Sequence, residues 1–164
     1  MKEITSKVAD QEFGVRTAHH KMANGETRFR LIDGNGIGYV RTQAGIVGSW
    51  QNSHFHLAHS ETYIVQKKWV VIATLSAQQS MELLKLEEGH VWTSAPNLAH
   101  NVFMSGGSIT HTVKHGKGSR DDWFTNQETD LLDQKSQSLT EQFLEAVDRK
   151  IVQVRTAPTR PHPS

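Results

Sequence analysis

Gly48-Ser49-Trp50-Gln51-Asn52-Ser53-His54-Phe55-His56-Leu57-Ala58-His59-Ser60-Glu61 is the stretch on which the reading of this chain turns. Successive side chains of a strand point to opposite faces, so His54 and His56 share one. Neighbouring imidazoles on one face are well placed to chelate a single ion. A short turn at 57–60 brings Glu61 back opposite them on the next strand. Two nitrogens and a carboxylate oxygen suit non-haem iron, manganese, nickel or zinc, with coordination positions left open. Such a site needs neutral imidazoles and an ionised carboxylate, so its affinity falls in acid. A fourth donor is His100, which follows Gly89 and Pro96. On a strand, His100 and Val102 share the inward face.

Working outward, residues 27–115 alternate short β-rich runs with turn signals. The runs are 27–32, 38–42, 46–56, 61–66, 69–75, 81–86, 100–104 and 109–114. Asp33-Gly34, Asn35-Gly36, Glu88-Gly89 and Gly106-Gly107 lie between them. Many short strands at this spacing predict an antiparallel sandwich or barrel. The strand–helix alternation of a doubly wound fold is missing. Gly34-Asn35-Gly36-Ile37-Gly38 lacks the last glycine of a dinucleotide fingerprint and the helix that should follow, so it reads as a hairpin turn.

After the β-rich region, Ser138-Leu139-Thr140-Glu141 has the pattern of a capping box. Leu139, Phe143, Val147 and Ile151, with Leu144 beside them, then give a helix one apolar face. Three of the four prolines fall in 155–164, which reads as a flexible basic tail. The expected organisation is an N-terminal segment (1–26) with room for an added strand, a barrel (27–115), a loop and C-terminal helix (116–154), and the tail.

Composition excludes several classes of function. The chain has 164 residues, enough for one domain, and 18 basic against 17 acidic residues. That balance offers no track for nucleic acid and no attraction to an anionic membrane. Cysteine is absent, which removes disulfides, thiolate metal sites, iron–sulfur clusters and cysteine nucleophiles. Residues 1–14 are charged and lack the apolar core of a signal peptide, and no run approaches a membrane span. The expectation is a soluble, cytoplasmic protein. The residue in excess is histidine, with ten copies.

These residues resemble the cupin family. Its first motif is Gly-x5-His-x-His-x3-4-Glu-x6-Gly, and Gly48, His54, His56 and Glu61 fit it. Lys68 stands at the closing glycine, where a different hairpin is expected. Its second motif is Gly-x5-Pro-x-Gly-x2-His-x3-Asn. Gly89 and His100 keep the overall separation, while Pro96 comes one place late, Leu98 stands at the second glycine and Met104 at the asparagine. The resemblance covers 27–115 and implies an all-β jelly-roll barrel, here with a C-terminal α-helix, and one divalent ion held by His54, His56, Glu61 and His100. It also implies a homodimer, since related cupins dimerise through added strands.

Other residues carry weaker signals. Tyr63 lies two after Glu61 on the same face, as a proton donor beside the ion or as a core aromatic. His111 points either inward, as an acid–base group, or outward. His59 falls in the turn and is expected at the rim. Residues 114–120 read as a mobile basic loop. Trp50, Trp69, Trp92 and Trp123 are scattered and read as core or pocket lining.

Function is expected to be metal-dependent chemistry on a small polar molecule inside the barrel. The resemblance to family members with three histidines and a glutamate favours Fe(II), over manganese, nickel or zinc, and a dioxygenase. A nucleotide-sugar isomerase or epimerase and a metal-dependent lyase are the alternatives, followed by a non-enzymatic binding module.

Overall fold

The computed structural model describes residues 3–119, 121–147 and 152–154. In chain order its elements are α1 (Ser6–Phe13), β1 (Arg16–Lys21), β2 (Thr27–Ile32), β3 (Gly38–Gln43), β4 (Ser49–Trp50), β5 (His59–Lys67), β6 (Trp69–Leu75), β7 (Met81–Glu87), β8 (Val91–Thr93), β9 (His100–Met104), β10 (Ile109–Gly116), α2 (Gln127–Ser136), α3 (Glu141–Glu145) and β11 (Val152–Val154). The strands form two sheets, β1-β2-β3-β10-β5-β8 and β11-β7-β6-β9-β4. Every pairing between them is antiparallel.

β6 shows why the sequence packs this way. Its Val70 and Ile72 face the other sheet and join Tyr63, Val65, Leu86, Val102 and Met104 in a core inside the barrel. Its Val71 and Ala73 face outward and join Leu83, Phe103, Leu132, Leu144 and Val147 in a second core beneath the helices. A strand buried on both faces reads as a continuous apolar run, and this one does. Leu132 and Leu144 are fully buried and contribute about 2 kcal/mol each. The Asp33 hairpin forms as expected: Asp33 Oδ1 accepts the N–H groups of Asn35 at 2.9 Å and Ile37 at 3.0 Å.

Several expectations are corrected. The segment 46–56 is not one strand. Only 49–50 pairs with β9, and Ile46 and Val47 are 98% and 73% exposed. His54 and Phe55 rejoin the structure through single bridges to His100 and Phe124. The longest helix lies earlier than predicted, over Gln127–Ser136. Its start is a capping box built from Asn126 and Thr129.

The capping box expected at Ser138 is absent, because Ser138 donates its hydroxyl to Lys135 O instead. Thr140 caps the short α3. Glu141 reaches the barrel, accepting the N–H groups of Gly48 and Gly106. Within the predicted apolar face, Leu144 and Val147 are buried but Phe143 is 43% exposed. Ile151 and the tail 155–164 lie outside the described residues. Within residues 1–26, β1 pairs along β2 at the sheet edge.

At Lys68 the chain passes from one sheet to the other with φ 61, in the left-handed region that favours glycine. The hairpin expected to differ therefore keeps a glycine-like conformation, with Lys68 Nζ donating to Gly106 O. In the turn before β9 the left-handed residue is Asn97, φ 63. Asn97, not Leu98, stands in for the glycine there, and its N–H donates to His56 O at 2.6 Å.

Candidate metal centre

The four residues singled out as ligands come together inside the barrel. His54 and His100 are cross-strand neighbours that exchange both backbone hydrogen bonds, at 3.0 and 3.1 Å. Their Nε2 atoms lie 3.4 and 3.3 Å from Glu61 Oε2, and His56 Nε2 lies 3.3 Å from Glu61 Oε1. All four residues are buried.

The other ring nitrogens are anchored. His54 Nδ1 meets Asn52 O at 3.0 Å, His100 Nδ1 meets Leu98 O at 3.0 Å, and His56 Nδ1 meets Asp122 O. A carbonyl only accepts, so each Nδ1 carries the proton and each Nε2 turns a lone pair inward.

Three lone pairs and a carboxylate facing one another at this range repel unless a cation stands among them. His56 Nε2 is buried without a hydrogen-bond partner among the described residues. Ligand atoms held about 2.0–2.2 Å from a common ion stand roughly 3.0–3.6 Å apart. The His54 and His100 distances to Glu61 Oε2 fit that spacing, and the ligand atoms of these three residues lie within 4.8 Å of one another, so they fit a divalent ion, with His56 reaching the other Glu61 oxygen.

The electrostatics agree. Burial pushes the His54 ring toward its neutral form, against the pull of Glu61. Burial alone would raise the Glu61 carboxyl. Hydrogen-bond donation from the rings of His100, His54 and His56 would outweigh it and hold Glu61 well below the usual carboxylate range; with the Nε2 atoms turned in as lone pairs, a cation takes that role. Tyr63 is buried, and its hydroxyl donates to Glu61 Oε2 at 2.6 Å. Burial and the Glu61 charge push its phenol well above the usual value, so it keeps its proton. Tyr63 is thus both a member of the inner core and a hydroxyl beside the ligands.

His111 points the other way. Its neighbours Thr112 and Lys114 line the cavity, while His111 bonds Tyr39 Oη at 2.5 Å and Gln66 Oε1 at 2.7 Å on the outer face. The inward placement that a catalytic His111 requires is not what the structure has.

His59 is also corrected. It is 1% exposed, with Nδ1 2.9 Å from Asp122 Oδ2. The loop 116–119 packs on it rather than standing free, for a Cβ at Gly118 would overlap the His59 ring. Arg120 lies outside the described residues.

Two further groups were not foreseen. Lys114 turns its Nζ inward to 3.5 Å from Glu61 Oε1. Asp122 accepts the N–H groups of Leu57, Ala58 and His59, and these hold its carboxyl below the ordinary range although burial raises it. His56, His59 and Asp122 form a second set of ligand-type side chains within 4.8 Å of one another. The Asp122 oxygens there are already filled by N–H groups, which leaves His56 to serve Glu61.

A cavity of about 230 Å³ opens from Glu61 and Tyr63 and is walled by Arg28, Arg30, Thr112 and Lys114. Trp123, 46% exposed, stacks on His54 with ring centroids 5.4 Å apart and lines the same cavity. Trp50 and Trp69 pack on Phe103, and Trp92 packs on Tyr63 and His100. Among the described residues no helix is long and apolar enough to cross a membrane.

No protein-family model and no curated protein sequence matches the chain. Solved structures do. KdgF from Halomonas sp. is 15% identical with a TM-score of 0.51, the match covering 64% of this chain and 89% of that one. A Streptomyces Pac13 variant with uridine is 18% identical with a TM-score of 0.52, covering 68% and 86%. A second structure of Pac13, described as a nucleoside dehydratase, is 17% identical with a TM-score of 0.51, covering 76% and 89%. With two antiparallel sheets closing over a histidine-rich interior, the chain has the double-stranded β-helix fold of the cupins.

Proposed function

We propose that this chain is a metal-dependent enzyme that moves a proton on a small polar molecule, a lyase or isomerase by reaction type. The observation that carries it is the convergence of three anchored Nε2 lone pairs and one carboxylate beside a protonated phenol. His54, His56, Glu61 and His100 would hold the ion, which supplies Lewis-acid polarisation of a substrate oxygen. Tyr63 holds a proton 2.6 Å from a ligand oxygen and delivers it to the reacting atom. Lys114 brings a second N–H donor to the same carboxylate from its other oxygen. Trp123 shields the His54 side from water.

The polar lining moves the reading away from the dioxygenase that the family resemblance favoured. Two proton-bearing groups beside the ligands serve acid–base chemistry and have no evident part in binding dioxygen. Pac13, described as a nucleoside dehydratase, is a precedent for a dehydration on this fold.

The test is elemental analysis of the purified and metal-reconstituted protein, followed by two assays on a panel of hydroxy and keto compounds. One assay follows solvent deuterium into substrate or product, and the other follows dioxygen uptake. One equivalent of metal with deuterium incorporation supports the reading. Well under one equivalent in both preparations defeats the metal site, and stoichiometric dioxygen uptake returns the reaction to the oxygenases.

A further inference from the structure

The inner wall of the cavity has a charge pattern that the metal chemistry leaves unused. The strand registers fix it. Glu61 of β5 faces Lys114 of β10, which faces Gly38 of β3, which faces Ile32 of β2. In the adjacent row Tyr63 faces Thr112, then Val40, then Arg30. Tyr63 and Arg30 therefore stand three strand spacings apart, about 14 Å between backbones. Their long side chains reach into the gap between, and Gly38 leaves it open.

The cations of this wall are not equally satisfied. Arg28 is held by the fully buried Glu26, through Nε at 2.9 Å and Nη2 at 2.7 Å. Arg30 has no carboxylate within ion-pair distance among the described residues, and its Nη1 meets only His20 Nδ1, at 2.8 Å. Lys114 has Glu61, but an ion on Glu61 takes that charge. The loaded cavity then carries Arg30, Lys114 and the surplus charge of the ion, balanced near Arg30 only by Glu26, which Arg28 already holds. Partly buried cations left this way cost free energy that a bound oxyanion recovers. Burial and the neighbouring Arg28 press on Arg30 more than Glu26 relieves it, which is the state that such a ligand improves.

We infer that the substrate is a short bifunctional molecule. One end carries an oxyanion, a carboxylate or a phosphate ester, that Arg30 and Lys114 hold. The other end carries an oxygen donor that meets the histidine cluster. This inference rests on the cavity being the substrate site of the metal enzyme proposed above.

The experiment titrates zinc-reconstituted protein with glutarate and glycerol 3-phosphate, and with their uncharged counterparts glutaramide and glycerol, by calorimetry at low and high salt. The two anions separate the carboxylate from the phosphate source. We expect at least one anion to bind tenfold or more tightly than its neutral partner. We expect Arg30→Gln to weaken that anion about 10- to 100-fold, the scale of a lost charge-assisted hydrogen bond, while zinc content and neutral-probe binding stay unchanged. Arg30→Lys should restore part of the loss, and Lys114→Gln gives an independent second removal.

Full zinc content with charged and neutral probes binding alike, or not at all, overturns the inference and leaves the metal reading standing. So does an Arg30→Gln and Lys114→Gln pair that binds the anion as the parent does. Absence of zinc uptake defeats the metal reading instead. The same comparison on metal-free protein, where Arg30 is still unpaired, then decides the anion site by itself.

Discussion

Replacing Asp122 by Asn keeps the shape of the side chain and removes its charge. Asp122 Oδ1 accepts Leu57 N–H at 2.7 Å, and Oδ2 accepts Ala58 N–H at 3.0 Å and His59 N–H at 2.9 Å. His59 Nδ1 lies 2.9 Å from the same Oδ2. An amide has one acceptor oxygen, so its NH2 must face a backbone N–H whichever way it turns. At least one charge-assisted bond is lost and the rest weaken. One such bond is worth about 1.5–3 kcal/mol, so the variant should lose about 2–3 kcal/mol. For a chain of this length that lowers the Tm by roughly 5–10 °C. Because Asp122 O also takes the His56 Nδ1 proton, loosening this segment should weaken metal binding about tenfold, the low end for losing a group that orients a ligand.

The sign of the pH dependence follows from the depressed Asp122 carboxyl. A group with a lowered folded pKa stabilises fully above its unfolded pKa and loses that contribution as pH falls through the folded pKa. The gap between parent and variant is therefore widest near pH 7 and closes from about pH 4 downward. Urea unfolding of both metal-free proteins at neutral and stepped acid pH measures it, and the difference cancels the titration of Glu61 common to both. A gap below about 0.5 kcal/mol at pH 7, or one that does not shrink in acid, refutes the reasoning.

Tyr63→Phe should keep full metal content and lose only about 1 kcal/mol of stability, yet reduce turnover roughly 10²-fold or more; unchanged turnover removes Tyr63 from the chemistry. Chelation should lower the Tm by a few degrees and leave the far-ultraviolet sheet signal intact, since two apolar cores hold the barrel; loss of that signal would show that the ion holds the fold. A chain ending at Val154 should stay soluble and fold, whereas one ending at Val147 should lose stability because β11 no longer pairs with β7; equal melting of the two would show that this pairing contributes nothing.

The ligands were legible in the sequence because their geometry is local or repeats with period two. His54 and His56 are two apart, Glu61 and Tyr63 are two apart on β5, and His100 and Val102 are two apart on β9. Alternation alone then fixes which side chains face inward. It also left His111 undecided, since a polar residue between two threonines reads the same from either face. α2 escaped because Leu131 and Leu132 are its only large apolar residues, too few for a helical period, and its start signal is a capping box of Asn126 and Thr129 rather than one ending in Glu or Gln.

What the sequence could not show is how distant segments close over the site. His59 looks like a turn residue at a rim, and Asp122 looks like one of two acidic residues in a polar loop. Only the return of the chain after β10 brings them together, 63 residues apart. That contact buries His59, fixes the turn between His56 and Glu61, and hands His56 its acceptor carbonyl. Lys114, in a segment whose composition suggested a free basic loop, is placed opposite Glu61 by the register of β10 on β5. The residues that complete the site are thus those whose partners lie on the far side of the fold. A polar side chain read alone defaults to the surface, and here Asp122 is instead buried, its carboxylate holding His59 and its carbonyl holding His56.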